Sequence, residues 1–234
     1  MGRPDAANKT TKCRDCGRQF VENPQWKPKE RDTFALIDRM LLERIPLAGI
    51  ARVLQLSESW LQQYVNARYA KVSQQAKVVA KTTSRLVVQM DELWSFVDNK
   101  QWVWLAMDGE TREIIGCHVG DHSAKSAQAL WNSLPRRYRQ YARIYTDYWE
   151  AYSCVLPSKR HFAVGKESGL TNYIERLNNT LRQRLSRLVR QSLSFSKKLD
   201  NHIGAIWNFI HHYNQKIREK LQREQMVSFP LSFT

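Results

Sequence analysis

Three acidic residues have positions suited to holding divalent metal ions: Asp91, Asp147 and Glu175. Asp91 closes the strand-like run Arg85-Leu-Val-Val-Gln-Met-Asp91, and Asp147 closes a second, Ala142-Arg-Ile-Tyr-Thr-Asp147. Glu175 lies one turn into a long basic helical segment that opens at Thr171. A side chain at a strand end projects off the sheet edge. Two acids at neighbouring strand ends can therefore share one ion, and an acid on a helix crossing that edge completes a second site. Hard oxygen ligands suit Mg2+ or Mn2+, whose remaining coordination positions take phosphate oxygens and water. Two such ions, about 3.5–4 Å apart, stabilise both the entering and the leaving oxygen of an in-line displacement. Other acids compete for these roles. Glu92 follows Asp91 and points the other way in a regular strand, Asp108 falls in a hairpin turn where Asp is common for backbone reasons, and Asp121 and Glu150 flank helical segments. Composition does not choose among them.

The segment around Glu175 adds a second kind of chemistry. Asn179 and Arg182 follow at i+4 and i+7, on the same helical face. Ile174, Leu177, Leu181, Leu185 and Leu188 form the adjacent apolar stripe. Arg176, Arg182, Arg184, Arg187 and Arg190 carry no acid among them. A solvated helical face normally interleaves both signs, so contact with phosphates is the better account of this run.

The whole chain is cationic. Its 234 residues carry 37 Lys and Arg against 22 Asp and Glu, a formal net charge of +15 that points to a polyanionic partner. The basic segments also carry Asn, Gln and Ser rather than a clean apolar face, which argues against a membrane surface. No apolar run approaches the roughly 18 residues that span a bilayer, and the polar start Met1-Gly-Arg-Pro-Asp lacks a signal-peptide pattern. The expectation is a cytoplasmic protein. Cys117 and Cys154 read as core residues. Cys13-Arg-Asp-Cys16-Gly17 has the form of a zinc-ribbon knuckle, two thiolates followed by a glycine that lets the turn close. A complete ribbon takes four ligands and only two stand here, so Cys13 and Cys16 read either as a partial Zn2+ site or as a cysteine turn that holds no metal.

Other elements must position these groups. Residues 29–70 predict three helices, with a helix-turn-helix over Leu47 to Val65. Pro46 starts its first helix, Ser57 caps its second, and Ile50, Ala51, Leu54, Leu61 and Val65 face inward. Ser59, Gln62, Gln63, Asn66 and Arg68 then face outward, with side chains of the types that reach base edges or phosphates. Residues 71–84 are polar and read as a linker. From Arg85 the period becomes that of strands: about 85–97, 101–108 and 113–119, with Asp108-Gly109 as a hairpin signal. A helix capped by Ser123 and ended by Pro135 follows, then a strand at 142–147, a short strand at 161–164, and helices at about 171–190 and 197–222. Three hairpin-joined strands, a helix, a strand and then helices is the order of a ribonuclease H-like α/β domain.

Several motifs together resemble transposases of the insertion sequence 1 family: Met90-Asp-Glu-Leu-Trp94, Tyr145-Thr-Asp-Tyr148, Val164-Gly-Lys166, Thr171-Asn-Tyr-Ile-Glu-Arg-Leu-Asn-Asn-Thr-Leu-Arg-Gln-Arg184 and Ser192-Leu-Ser-Phe-Ser-Lys197. The Cys13/Cys16 pair and the helix-turn-helix belong with them. The resemblance implies a DDE catalytic domain that uses Asp91, Asp147 and Glu175 with two Mg2+ (or Mn2+) ions, supported by Asn179 and Arg182. It implies an N-terminal zinc ribbon and helix-turn-helix on the terminal inverted repeats of the element. Such a ribbon has an earlier cysteine pair, which this sequence lacks. Lys166, Arg176, Arg184 and Arg187 join the helix-turn-helix residues as DNA contacts. The expected organisation is a zinc-ribbon remnant at 1–28, the helix-turn-helix domain at 29–70, a linker at 71–84, the catalytic domain at 85–222 and a tail at 223–234. Partners are double-stranded DNA, at element ends and target, and further copies of the chain on that DNA, in the nucleoid of a bacterial or archaeal cell. The competing reading is a helix-turn-helix regulator, or a transposase derivative without strand transfer, in which Asp91→Asn has no consequence. A plain metal-dependent nuclease that cuts without joining is a third.

Overall fold

A computed structural model of the chain describes residues 10–21, 31–78, 85–188 and 196–228. It divides into two compact units, Met1–Asp38 and Arg39–Thr234. In the first, β1 (Thr10–Lys12) and β2 (Gln19–Val21) form an antiparallel hairpin. The Gly17 N–H donates to the Cys13 carbonyl at 3.1 Å, with Gly17 at φ +69°, a conformation that costs glycine little. The knuckle turn expected from the sequence is formed, with Cys13 and Cys16 at its tip. Helix α1 spans Arg31–Met40.

The second unit begins with the helical hairpin. Helix α2 is Leu47–Val53 and α3 is Glu58–Ala70. Pro46 precedes α2 as its cap residue, and the Ser57 Oγ accepts from the Trp60 N–H at 3.4 Å. Ile50, Ala51, Leu61 and Val65 are buried, as the periodicity requires.

The sheet has five strands in the order β5-β4-β3-β6-β7. They are β3 (Val87–Val97), β4 (Asn99–Asp108), β5 (Ile114–Gly120), β6 (Arg143–Thr146) and β7 (His161–Ala163). The first three pair antiparallel through hairpins, while β6 joins β3 in parallel and β7 joins β6 in parallel. This is the ribonuclease H-like arrangement. Alternate residues of β3 and β4 serve two cores. Leu93, Val103, Leu105 and Met107 pack with Ile174, Leu177 and Leu181 of α7 (Asn172–Arg184) and Ile206, Phe209 and Ile210 of α8 (Leu199–Ser228). Val88, Met90, Trp104 and Ala106 pack on the other face with Leu130 of α4 (Ala124–Ser133), Tyr138 of α5 (Arg136–Tyr141) and Tyr152 of α6 (Glu150–Val155).

Several elements differ from the expectation. Pro135 ends α4 but also begins α5, and α6 starts three residues after Asp147; their short runs carry too little periodicity to announce a helix. Helix α7 stops at Arg184, because Leu185 turns to extended backbone (φ −101°, ψ 110°) before a 3-10 turn at Ser186–Leu188. The leucine stripe therefore leaves the helix, yet Leu185 and Leu188 stay buried. The segment read as a linker is strapped to the body over its described part. The Ser73 carbonyl meets His211 at 2.7 Å, the Lys77 carbonyl meets Arg218 at 2.8 Å, and Val72 and Ala76 join the α7–α8 core. Residues 79–84, Arg190, Ser192 to Phe195 and residues 229–234 lie outside the described residues, while α8 carries 223–228 as helix.

Helix α3 lies directly on α8. A Cβ on Gly204 would fall 2.5 Å from the Tyr69 Cβ and 2.9 Å from the Tyr69 carbonyl oxygen, so only glycine permits this approach.

Candidate active site

Asp91 does not end a strand. It lies within β3, which runs on to Val97, and what opens the site is its neighbour. Strand β6 pairs with β3 only over Val87–Gln89 and stops at Thr146. Past that point no described strand covers this edge of β3, and Asp147 is the first residue beyond β6. Its Oδ1 accepts from the Trp149 N–H at 3.0 Å.

Helix α7 delivers the third acid. The Ile174 N–H donates to the Gln89 side-chain oxygen at 3.0 Å, which fixes the first turn of α7 against β3 two residues from Asp91. Glu175 follows, its Oε1 accepting from the Thr171 hydroxyl at 2.9 Å. One turn further, the Asn178 Nδ2 donates to the Asp91 Oδ2 at 2.7 Å. The Asp91 carboxyl is pushed up to about 7, first by burial, then by the charge of Glu92 and further by those of Asp147 and Glu175. Asp147 and Glu175 are thus both close enough to Asp91 for their charges to act on its carboxyl.

Among the described residues, no three His, Cys, Asp or Glu side chains form a ready cage for a metal ion as they stand. The donor set nevertheless fits a hard divalent cation. All three are carboxylates, and the repulsion that Asp147 and Glu175 exert on Asp91 is what a bound cation relieves.

Asn178, rather than Asn179, meets Asp91; Asn179 is exposed. The two residues differ by 100° around the helix, and α7 is turned so that Asn178 lies in the buried row with Ile174, Leu177 and Leu181. The signal was a polar residue at i+4 from Ile174 inside an apolar stripe, since a buried polar group is the informative exception. Arg182 is partly buried, with its Nε shielded from solvent.

Glu92 points the other way, as strand alternation requires, but it is no surface bystander. Its Oε1 lies 2.9 Å from the His122 Nε2, and its Oε2 accepts from the Tyr152 hydroxyl at 2.7 Å. The His122 ring is stacked between Trp102 (3.7 Å between centroids, 9° between planes) and Trp149 (4.1 Å, 6°). No local pattern signals this cluster, because its members come from four separate elements. Of the remaining competing acids, Glu150 is exposed on α6, while Asp108 and Asp121 serve the fold. Asp108 accepts from the Glu110 and Thr111 N–H groups and from the Tyr138 hydroxyl, while Asp121 accepts from the Ser123 and Ser126 hydroxyls.

The basic residues divide. Lys166 and Arg176 are exposed. Arg184 and Arg187 face inward instead. Arg184 pairs with Glu43, donates to the Leu42 carbonyl at 3.1 Å and lies over the Phe209 ring. Arg187 donates to the Ser196 Oγ at 2.5 Å and lies 5.5 Å from the Tyr69 ring centroid. The break after Arg184 redirects Arg187, while Arg184 turns inward from the last residue of the helix itself. On α3, Ser59, Gln62 and Gln63 are exposed, and Gln62 donates to Asn66 at 2.8 Å. Gln62 and Asn66 line a cleft of about 690 Å3 together with Arg187, Lys197 and Lys198. Arg68 is partly buried in a second cleft beside Asn208 of α8 rather than facing outward. In the N-terminal hairpin, hydrogen bonds from the backbone of Cys16 and Asp15 lower the Cys13 thiol pKa, the environment a thiolate metal ligand needs.

A family model described as IS1 transposase matches residues 85–216. The protein InsB of insertion element iso-IS1n from Shigella dysenteriae is 31% identical over 128 residues, covering 53% of this chain and 94% of that protein. InsB of insertion element IS1 from Shigella flexneri is 33% identical over 130 residues, covering 53% and 95%. Among solved structures, the Mos1 mariner paired end complex with Mn overlaps 84% of this chain and 80% of its own at 13% identity, with a TM-score of 0.31, too distant in shape to carry residues across. No described helix is long and apolar enough to cross a membrane. With the model matched across the sheet, α7 and most of α8, the chain belongs to the IS1 transposase family.

Proposed function

We propose that the protein is a DDE transposase that binds the terminal inverted repeats of its own insertion element and catalyses cleavage and strand transfer of DNA at Asp91, Asp147 and Glu175. What supports this reading is the placement of Asp91 at the open edge of β3, with Asp147 as the first residue beyond β6 and the charges of Asp147 and Glu175 both reaching Asp91, whose carboxyl is raised first by burial and by Glu92. Their carboxylates would hold Mg2+ or Mn2+, as two ions. When bound, such ions activate the attacking oxygen and stabilise the leaving one.

The chain's own groups prepare that site. Asn178 holds the Asp91 Oδ2 from the buried side of α7, so the remaining oxygen faces the site. Thr171 fixes the Glu175 rotamer, and Gln89 fixes the turn that carries it. Arg176 and Lys166, exposed on the same helix and on the turn before it, bind the phosphates that flank the cut. The exposed face of α3, with Ser59, Gln62 and Gln63, reads bases. Two element ends must be engaged at once, which calls for more than one copy on the DNA.

The test is cutting and joining of a labelled duplex bearing the element's ends, with Mg2+ or Mn2+ present. Asp91→Asn, Asp147→Asn and Glu175→Gln should each abolish both steps while binding to the ends persists. Cutting without joining by the unaltered protein leaves a nuclease. Unchanged function in all three variants leaves a helix-turn-helix regulator.

A further inference from the structure

The sheet face opposite Asp91 holds a cluster that the reaction as described does not use: Glu92, His122, Trp102, Trp149 and Tyr152. We propose that this cluster sets the position of Asp147, with His122 and Trp149 as positioning residues for the carboxylate site; the inference rests on the metal-site reading above.

Asp147 is exposed, and two local hydrogen bonds describe its surroundings. Its Oδ1 accepts from the Trp149 N–H at 3.0 Å, and its carbonyl accepts from the Thr146 hydroxyl at 2.7 Å. Where Trp149 goes, Asp147 goes. The Trp149 indole N–H is itself buried without a hydrogen-bond partner among the described residues, so polar contacts do not fix that ring. Stacking does: its ring centroid lies 4.1 Å from that of His122, with 6° between the planes. His122 is held on its other side by Trp102 at 3.7 Å and 9°, and Lys100 lies 4.7 Å from the Trp102 ring centroid. The imidazole is held at its edge by Glu92 at 2.9 Å.

Glu92 is the residue after Asp91, and it makes two links. Its second oxygen accepts from Tyr152 at 2.7 Å, and Tyr152 belongs to α6, the helix capped by Trp149. One carboxylate therefore fastens both the stack and the helix that follow Asp147 to the residue beside Asp91. Two acids that must present oxygens to one ion are thereby referenced to each other across the strand. Packing alone has no need of this arrangement. A plain hydrophobic contact in place of His122 would fill the gap without tying it to Glu92.

The experiment measures Mn2+ binding to the full chain by titration calorimetry, alongside the thermal midpoint without metal. His122→Ala and Trp149→Ala should weaken Mn2+ binding roughly 10–100-fold, the usual effect of losing a group that orients a metal ligand. Trp149→Phe should restore most of it, because the phenyl ring can still stack. His122→Phe should restore less, because the link to Glu92 is gone. Leu130→Ala, in the same core, should lower the midpoint and leave Mn2+ affinity unchanged. Equal Mn2+ affinity in the unaltered protein, His122→Ala and Trp149→Ala overturns the proposal, as does an equal loss in Leu130→Ala. Where the alanine variants do not fold, Trp149→Phe against His122→Phe decides, and matching affinities in both overturn it. If Asp147→Asn leaves Mn2+ binding intact, the metal-site reading itself has failed; if Asp147→Asn abolishes binding while the cluster variants do not, only this inference has.

Discussion

Adjacent residues of one strand meet opposite fates. Glu92 faces α6 and is answered there by His122 and Tyr152. Asp91 faces α7 and has the Asn178 amide as its side-chain partner, while two further carboxylates crowd it. The pattern extends across both faces. On the α4–α6 side, buried Asp108 accepts three hydrogen bonds. On the α7–α8 side, Ser95 Oγ, Asn178 Oδ1 and both His202 nitrogens are buried without partners among the described residues. Unanswered buried polar groups destabilise a fold. The Trp149 indole N–H is unanswered on the α4–α6 side as well, but more of these groups lie on the α7–α8 face, and that excess indicates where this protein gives up stability to keep groups available. Stability is not uniform because function is not.

The sharpest way to break the comparison is to neutralise each acid in turn. Asp91→Asn removes a repelled carboxylate. It should raise the thermal midpoint at neutral pH without metal, and abolish cutting and the stabilisation by Mn2+. The Glu92 carboxyl is also held above its usual range, by burial first, but His122 and Tyr152 pull it back; Glu92→Gln disrupts both links and should lower the midpoint, by about 1–3 kcal/mol of stability. Denaturant titration of both variants decides it, and opposite signs are required; a loss of stability in both erases the distinction between the faces.

A pH titration of stability probes the α7–α8 side through His202. Burial, then the nearby charge of Arg187, lowers its pKa from 6.5 to about 4. The folded form resists protonation, so the unfolded chain takes up the proton first on acidification. The contribution is fully present above pH 6.5 and is lost as pH falls from 6.5 toward 4, by up to about 3 kcal/mol. His202→Leu should flatten stability across that window. An unchanged slope shows that His202 is not the group responsible.

Asn178→Ala is a smaller perturbation. It removes one buried hydrogen bond and one unanswered oxygen together, so the net cost in stability should be no more than about 1 kcal/mol. DNA cutting should fall by far more than that cost accounts for, measured per folded molecule, whereas Asn179→Ala should change neither. The smallest expected effect is at the surface. Arg176→Ala should weaken binding to all DNA alike and reduce the dependence of log affinity on log salt by about one unit, with thermal stability within about 0.5 kcal/mol.

What the sequence displayed follows from how local each feature is. The strand order was legible because alternation and the Asp108-Gly109 turn are written in consecutive residues. The Ser57 cap and the inward residues of α2 and α3 were legible for the same reason. Asp147 was legible because β6 is short and ends beside it. The opening at Asp91 was not, because it arises from where a different strand stops. Arg184 and Arg187 looked like phosphate contacts in a helix assumed to continue. The backbone leaves the helix at Leu185, and both guanidinium groups turn to Glu43, Ser196 and Tyr69 instead. The His122 stack joins residues 102, 122 and 149, which only the fold brings together.

The contact of Gly204 with Tyr69 has one more consequence. It seats α3 on α8, and α8 is built into the core that carries the sheet. Under the function proposed above, with α3 reading DNA and the carboxylates cutting it, such seating would act as a ruler. The number of base pairs between the recognised sequence and the broken phosphodiester is then set by the protein's own dimensions, with no slack for a tether to take up. An element mobilised by this chain would carry ends of constant length, and a single base pair inserted between the read sequence and the cut would rotate the scissile bond around the duplex and out of reach.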